Sequence, residues 1–209
     1  MHPPAHIGPN AITRVAEALD ALSTGEIKVR LFEAAGLTRY LEKAPQAPVP
    51  ETEVAALHSS LFDQLPEREA RQIAQRAGEL TADYLLAHRI PRPLQALLRV
   101  LPAALRARLL LSAIARHAWT FAGSSAFSYS VQGWTLPRLQ LHLRIDHNSA
   151  CAGRHTDAPS CDYHRAVFQR LLNALVGQLE VREVVCCACG AAGCEFVGAV
   201  AHARQPNAL

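Results

Sequence analysis

Apolar positions recur three and four apart through the first part of the chain and then, beyond residue 125, alternate singly with polar ones. The first period belongs to helices with one buried side, the second to half-buried strands. After a lead-in over 1–10, with Pro3, Pro4, Gly8 and Pro9, the pattern predicts a helix over 11–22 that Ser23, Thr24 and Gly25 end. Shorter helices follow at 27–35 and 37–42, then a linker over 43–50 with three prolines. Two further helices are expected at 52–64 and 67–88; the second carries Ala70, Ile73, Ala74, Ala77, Leu80, Tyr84 and Leu85 at helical spacing, and Pro91 and Pro93 stop it. The helical part closes with 94–99 and 102–121, where Leu105, Leu109, Ile114 and Trp119 fall near one face that should be buried.

Segments 126–132 and 139–145 read as strands, the second with Leu139, Leu141 and Leu143 on one face and His142 and Arg144 on the other. The polar stretch 146–160 reads as an exposed loop. An amphipathic helix is expected over 161–179, with Ser160 as N-cap and Val167, Leu171, Leu172, Leu175 and Leu179 as its buried stripe. Strands at 179–185 and 194–200 complete the chain. The fold class is α+β: an N-terminal helical layer packed on an antiparallel sheet with one crossing helix. Residues 1–50 read as a helical extension that serves dimerisation, 51–200 as the ligand-binding domain, and 201–209 as a flexible tail.

A chain of 209 residues, half of them apolar, can bury a core without disulfides. Its formal charge of +3 is modest, and Arg89, Arg92, Arg99, Arg106, Arg108 and Arg116 share a segment with no acidic residue. That is a basic helical face, suited to solvent, to carboxylated ligands or to an anionic membrane surface, and not a nucleic-acid stripe. The start MHPPAHIGPN lacks the apolar core of a signal peptide, and the apolar run 109–114 is too short to span a bilayer. The expectation is a cytoplasmic protein, peripheral at most to a membrane.

Five of the six cysteines lie between Cys161 and Cys194, where a reducing compartment favours metal ligation over disulfides. Cys186, Cys189, Gly190 and Cys194 resemble a stretched zinc knuckle, and thiolates suit zinc, a structural ion with four tetrahedral ligands. Cys161, in the first turn of a helix, has its thiolate favoured by free N–H groups. Spacing alone therefore selects Cys161, Cys186, Cys189 and Cys194. Glu183 competes for a place, because a carboxylate in an apolar strand needs a partner. It can converge with Cys186 only if the strand bends. Cys151 and Cys187 read as inert thiols, with Cys187 as a substitute ligand.

A pocket for a flat, mostly apolar molecule could be lined by His117, Trp119, Phe121, Tyr129, Trp134 and His142, with a histidine for a chelated metal. The same aromatics also suit a plain core. No Gly-rich dinucleotide fingerprint, P-loop, nucleophile elbow or metallohydrolase motif appears in the sequence.

The stretch 126–200, above all Cys161 with its helix and the run REVVCCACGAAGCEFVG, resembles the vinyl-4-reductase domain. That small-molecule-binding family includes ligand-sensing domains of aromatic-responsive transcription activators. The whole chain, including RLLLSAIARHAWTFAGS, resembles the bacteriochlorophyll 4-vinyl reductase family of purple phototrophic bacteria. The resemblance implies a structural zinc on Cys161, Glu183, Cys186 and Cys194, with Cys189 and Gly190 as turn residues. It also implies a homodimer and a ligand enclosed between helices and sheet. The implied role is at the magnesium porphyrin or divinyl protochlorophyllide stage, beside pathway enzymes such as magnesium chelatase or the methyltransferase. With no cofactor motif to supply hydride, a tetrapyrrole carrier is the favoured reading. The alternatives are a reductase of the vinyl group and a ligand-sensing or assembly module.

Overall fold

The computed structural model describes residues 5–123 and 126–201. The first residues of the lead-in and the tail from 202 onward lie outside the described residues. Helices α1 (Asn10–Leu22), α2 (Gly25–Ala34), α3 (Arg39–Glu42), α4 (Glu51–Gln64), α5 (Glu67–His88), α6 (Arg92–Arg99), α7 (Ala103–Arg116) and α8 (Trp119–Ala122) occupy the N-terminal part. Proline stands at the N-cap of α4, α5, α6 and α7, as Pro50, Pro66, Pro91 and Pro102. It holds the extended backbone from which a helix can start while stopping the element before it.

Two short strands were not expected. β1 (His6–Ile7) pairs antiparallel with β2 (Val49–Pro50), so the lead-in and the proline linker are tied together. Ile7 and Val49 are buried side by side and supply the reason. The main sheet consists of β3 (Phe127–Gln132), β4 (Gln140–Asp146), β5 (Glu180–Val185) and β6 (Gly193–Ala199), all antiparallel, in the order β3-β4-β6-β5. Helix α9 (Asp162–Leu175) carries the chain from β4 to the far edge at β5. The last strand then returns between them.

Leu141, Leu143 and Ile145 of β4, and Cys194 and Phe196 of β6, are buried on the sheet's inner face. Against them α9 lays Phe168, Leu171, Leu172 and Leu175; Phe168 meets Phe196 edge-on at 5.3 Å and stacks on Phe127 at 5.9 Å. Each such side chain contributes about 1.5–3 kcal/mol relative to exposure. The other side of α9 packs on α5, whose facing residues Ala70, Ala74, Ala77 and Gly78 are small enough for close approach. Thr81 Oγ1 meets Tyr163 Oη at 2.9 Å, and Arg71 pairs with Asp162 at 3.0 Å. Val15, Ala18 and Leu19 of α1 are buried in this same core, against α5.

Four expectations require correction. The helix over 102–121 breaks at His117, and its buried side is Ala103, Ala104, Ala107, Leu110 and Leu111, not the side of Leu105, Leu109 and Trp119. The segment is apolar nearly all round, and its small alanines admit the nearest backbone. Helix α9 starts with Cys161 as N-cap; Ser160 instead accepts Arg154 Nη2 at 2.7 Å. That helix ends at Leu175, so Leu179 lies beyond it. Finally, 146–160 is not simply exposed: Asn148, Ser149, Ala150, Cys151, Arg154 and Ser160 are buried, because the 3₁₀ turn Ser149–Cys151 packs against α4.

Candidate metal centre

The elements just described bring four sulfurs and one carboxylate to a buried point between the start of α9 and the ends of β5 and β6. Cys161 arrives as the N-cap of α9 and Cys194 as the second residue of β6. Cys186 follows β5 directly, before a 3₁₀ turn (Cys187–Cys189) that Gly190 closes at φ +87. Gly190 suits that left-handed position because it has no Cβ to clash. Cys189 N donates to Cys186 O at 3.1 Å, and Cys187 N donates to Cys194 Sγ at 3.4 Å.

The bend that Glu183 requires is present. Glu183 faces Phe196 and Val185 faces Glu195, so the ladder slips between them in a bulge. Glu183 and Cys186 thereby turn to the same side. Glu183, Cys186 and Cys194 bring their donor atoms within 4.8 Å of one another, and Cys151, Cys161 and Cys194 do likewise. Glu183 Oε2 accepts the backbone N–H of Cys161 at 2.7 Å, while its Oε1 is buried with no hydrogen-bond partner. An orphaned carboxylate oxygen beside thiols is what a cation site looks like from the protein's side.

The electrostatics agree. Burial opposes ionisation of Cys161, but hydrogen bonds from Cys151 and Cys194 outweigh it and bring the thiol down to about 6. The Cys151 thiol brings Cys194 down to about 7. Burial pushes Glu183 up to about 10, against the pull of the Cys161 N–H, and the neighbouring Cys194 and Cys186 add to the rise. Several groups here compete to be the anion, and a divalent ion would let them all ionise. The donor set of thiolates with one carboxylate fits zinc.

Around this centre stands a polar shell. Asn148 Nδ2 donates to Cys161 Sγ at 3.0 Å and lies 3.1 Å from His164 Nδ1, which is itself 3.3 Å from that sulfur. Asn148 Oδ1 accepts Ala150 N at 3.1 Å, which fixes the amide's orientation. His164 is buried, and burial lowers it to about 4. Asn148, His164 and Cys151 were missed in the sequence, where only residue type marked them. Cys189 is exposed and stands apart from the buried sulfurs, whereas Cys187 Sγ lies 3.6 Å from Cys194 Sγ.

The six residues expected around one pocket are not brought together. His117, Trp119 and Trp134 are exposed at the surface, Trp134 beneath the Arg108 guanidinium at 4.8 Å. Phe121 packs inward on Phe127 at 5.5 Å. His142 lies exposed on the sheet's outer face, paired across from Ser130. The strand alternation that buries Leu141 and Leu143 sends it there. His142 and Tyr129 do share the lining of an outer recess of about 280 Å³, with Ser128, Ser130, Arg144 and Glu195.

Residues 141–199 match the vinyl-4-reductase domain family. The chain is 44% identical over 192 residues to the bacteriochlorophyll synthase 23 kDa chain of Cereibacter sphaeroides, covering 91% of this chain and 88% of that one. Identity to the protein of the same description in Rhodobacter capsulatus is 37% over 193 residues, covering 91% and 85%. Among solved structures, the phenol-responsive sensory domain of the transcription activator PoxR with phenol superposes with a TM-score of 0.51 at 15% identity, over 84% of this chain and 90% of that domain. At that identity the likeness concerns the fold.

Proposed function

Because this chain belongs to the bacteriochlorophyll synthase 23 kDa chain family, its role lies in bacteriochlorophyll biosynthesis, and we propose that it binds a magnesium tetrapyrrole intermediate and presents it to pathway enzymes. The observation that carries this reading is the position of His142. Its imidazole stands exposed at an open recess of about 280 Å³ on the outer sheet face. A flat macrocycle can lie across such a face, and a neutral imidazole can serve as the fifth donor to its chelated metal. The recess is smaller than a tetrapyrrole, so the ligand remains partly exposed, as presentation to a second protein requires. Within the matched domain, the thiolate centre is a structural zinc site on Cys161, Glu183, Cys186 and Cys194. A zinc ion there cross-links the start of α9 to the ends of β5 and β6. In this reading Asn148 orients Cys161, and Glu183 ties β5 to the first N–H of α9.

The test is a titration of zinc-loaded protein with magnesium protoporphyrin and with divinyl protochlorophyllide, followed by absorbance and fluorescence, with and without NADPH. Saturable binding that shifts the pigment bands and weakens about tenfold or more in His142→Ala supports the carrier, a loss of roughly one charge-assisted or coordinate contact. NADPH-dependent loss of the vinyl group would instead establish a reductase. Absence of binding to either pigment would refute the tetrapyrrole reading.

A further inference from the structure

We infer that Cys151 belongs to the metal shell, so that the ion is held by four thiolates, Cys151, Cys161, Cys186 and Cys194, with Glu183 beside the shell and not in it. This deepens the zinc reading above and rests on it. Cys151 Sγ lies 3.9 Å from Cys186 Sγ and 3.8 Å from Cys194 Sγ, and Cys186 and Cys194 are 4.0 Å apart. Four sulfurs at about 2.3 Å from a tetrahedral ion are separated by about 3.8 Å. The three measured edges already have the length of that tetrahedron. Cys151 also forms a mutually close trio with Cys161 and Cys194, which supplies the fourth corner.

The approach of Cys151 is built and not incidental. Its backbone N donates to Asn148 O at 3.0 Å within the 3₁₀ turn, Arg154 Nη1 donates to Ala150 O at 3.3 Å, and the thiol is 1% exposed. Glu183, in contrast, already has one oxygen committed to the Cys161 N–H. A soft-leaning ion offered four sulfurs and one carboxylate takes the sulfurs. The charge of four thiolates is then moderated by the Asn148 amide, the Cys187 N–H and the start of α9.

X-ray absorption at the zinc edge of the intact wild-type protein separates the outcomes. Four sulfur scatterers, retained in Glu183→Gln and reduced to three in Cys151→Ser, support the inference. Cys151→Ser should also release zinc to a chromogenic chelator at least about tenfold faster than wild type. Three sulfurs with one oxygen in wild type, unchanged in Cys151→Ser, overturns it while leaving a zinc centre in place. A wild-type protein that takes up no zinc overturns the zinc reading itself.

A separate set of residues leads us to propose that the surface from α6 to the start of α7 docks on an anionic lipid bilayer. Leu94, Leu97, Val100, Leu105 and Leu109 are exposed there, Val100 at 78%, and Trp134 is held against α7 by Arg108. A run of exposed aliphatic side chains with a tryptophan at its border is an unusual surface in water. Arg89, Arg92, Arg99 and Arg116 are exposed in the same segment, and none forms an ion pair with a carboxylate among the described residues. Apolar insertion and unpaired positive charge together match lipid with anionic headgroups.

Co-sedimentation with vesicles of phosphatidylglycerol and phosphatidylcholine, against phosphatidylcholine alone, tests this. Expected is binding to the anionic vesicles that falls with salt, drops about five-fold for each arginine removed in Arg92→Gln and Arg99→Gln, and is lost in Leu97→Ser with Val100→Ser. No binding, or equal binding to both vesicle types, overturns it. So does a self-association in sedimentation that these same substitutions abolish, which would make the surface a protein interface.

Discussion

Gly78 sits where α5 crosses the first turn of α9, and replacing it with alanine sets two effects of opposite sign against each other. In an isolated helix the change stabilises by about 1 kcal/mol, since alanine has the higher propensity. Here a Cβ at position 78 would stand 2.2 Å from the carbonyl oxygen of Tyr163 and 2.9 Å from Ala166 Cβ. Ordinary C···O approach is about 3.3–3.6 Å, so the helices must part by about 1 Å. The obstructing atom belongs to a helical backbone and cannot rotate away. Overpacking costs about 1–3 kcal/mol, and a backbone clash belongs at the upper end. The net expectation is a loss of about 1–2 kcal/mol, or a Tm lower by about 2–8 °C for a chain of this size. Because Cys161 begins the displaced helix, zinc release should also accelerate. Scanning calorimetry on wild type, Gly78→Ala and Gly25→Ala checks the reasoning, since a Cβ at Gly25 meets nothing within 4 Å. A Gly78→Ala protein as stable as wild type would refute the close crossing of α5 and α9.

His58 is buried in α4 and held down to about 3 by burial, with His164 and Arg154 adding to the effect. Its folded pKa lies below its unfolded value near 6.5, so its neutral form's stability is complete above about pH 6.5 and is lost as pH falls toward about 3. The loss is about 1.4 kcal/mol per pH unit, roughly 2 kcal/mol by about pH 5; His58→Gln should flatten that acid limb in denaturant titrations, and an unchanged slope would contradict the burial. Removing zinc with a chelator should lower the Tm and re-addition restore it, by about 4 kcal/mol at roughly a thousandfold excess over Kd; a Tm indifferent to zinc would exclude a structural ion. Asn148→Ala should weaken zinc affinity about 10–100-fold by freeing Cys161, and equal affinity would show that the amide does not support the thiolate.

Much of the architecture was legible because periodicity is a local property. The stripe of Val167, Leu171, Leu172 and Leu175 and the alternation of Leu141, Leu143 and Ile145 each require only that one face of one element be dry. Cys161, Cys186 and Cys194 were legible as a group through residue chemistry, and Glu183 through the cost of a carboxylate in an apolar strand. The resemblance, not the spacing, set Glu183 ahead of Cys189, and the bulge after Glu183 is what brings it round.

What tertiary structure alone decided is which surfaces meet. Helix α7 is apolar on two sides, and only its alanines' closer fit to the sheet turned Leu105 and Leu109 outward. His142 and Phe121 belong to opposite faces because the strand's alternation puts the histidine outside while α8 packs within. Cys151 lies in a polar, turn-rich stretch whose sequence reads as solvent-exposed, yet α4 covers that turn and drives its thiol among the other sulfurs. The chain's own pattern determined the elements and the chemistry each could offer. Burial of a turn, the choice between two apolar faces and the convergence of ligands depend on neighbours distant in sequence, which no local period encodes.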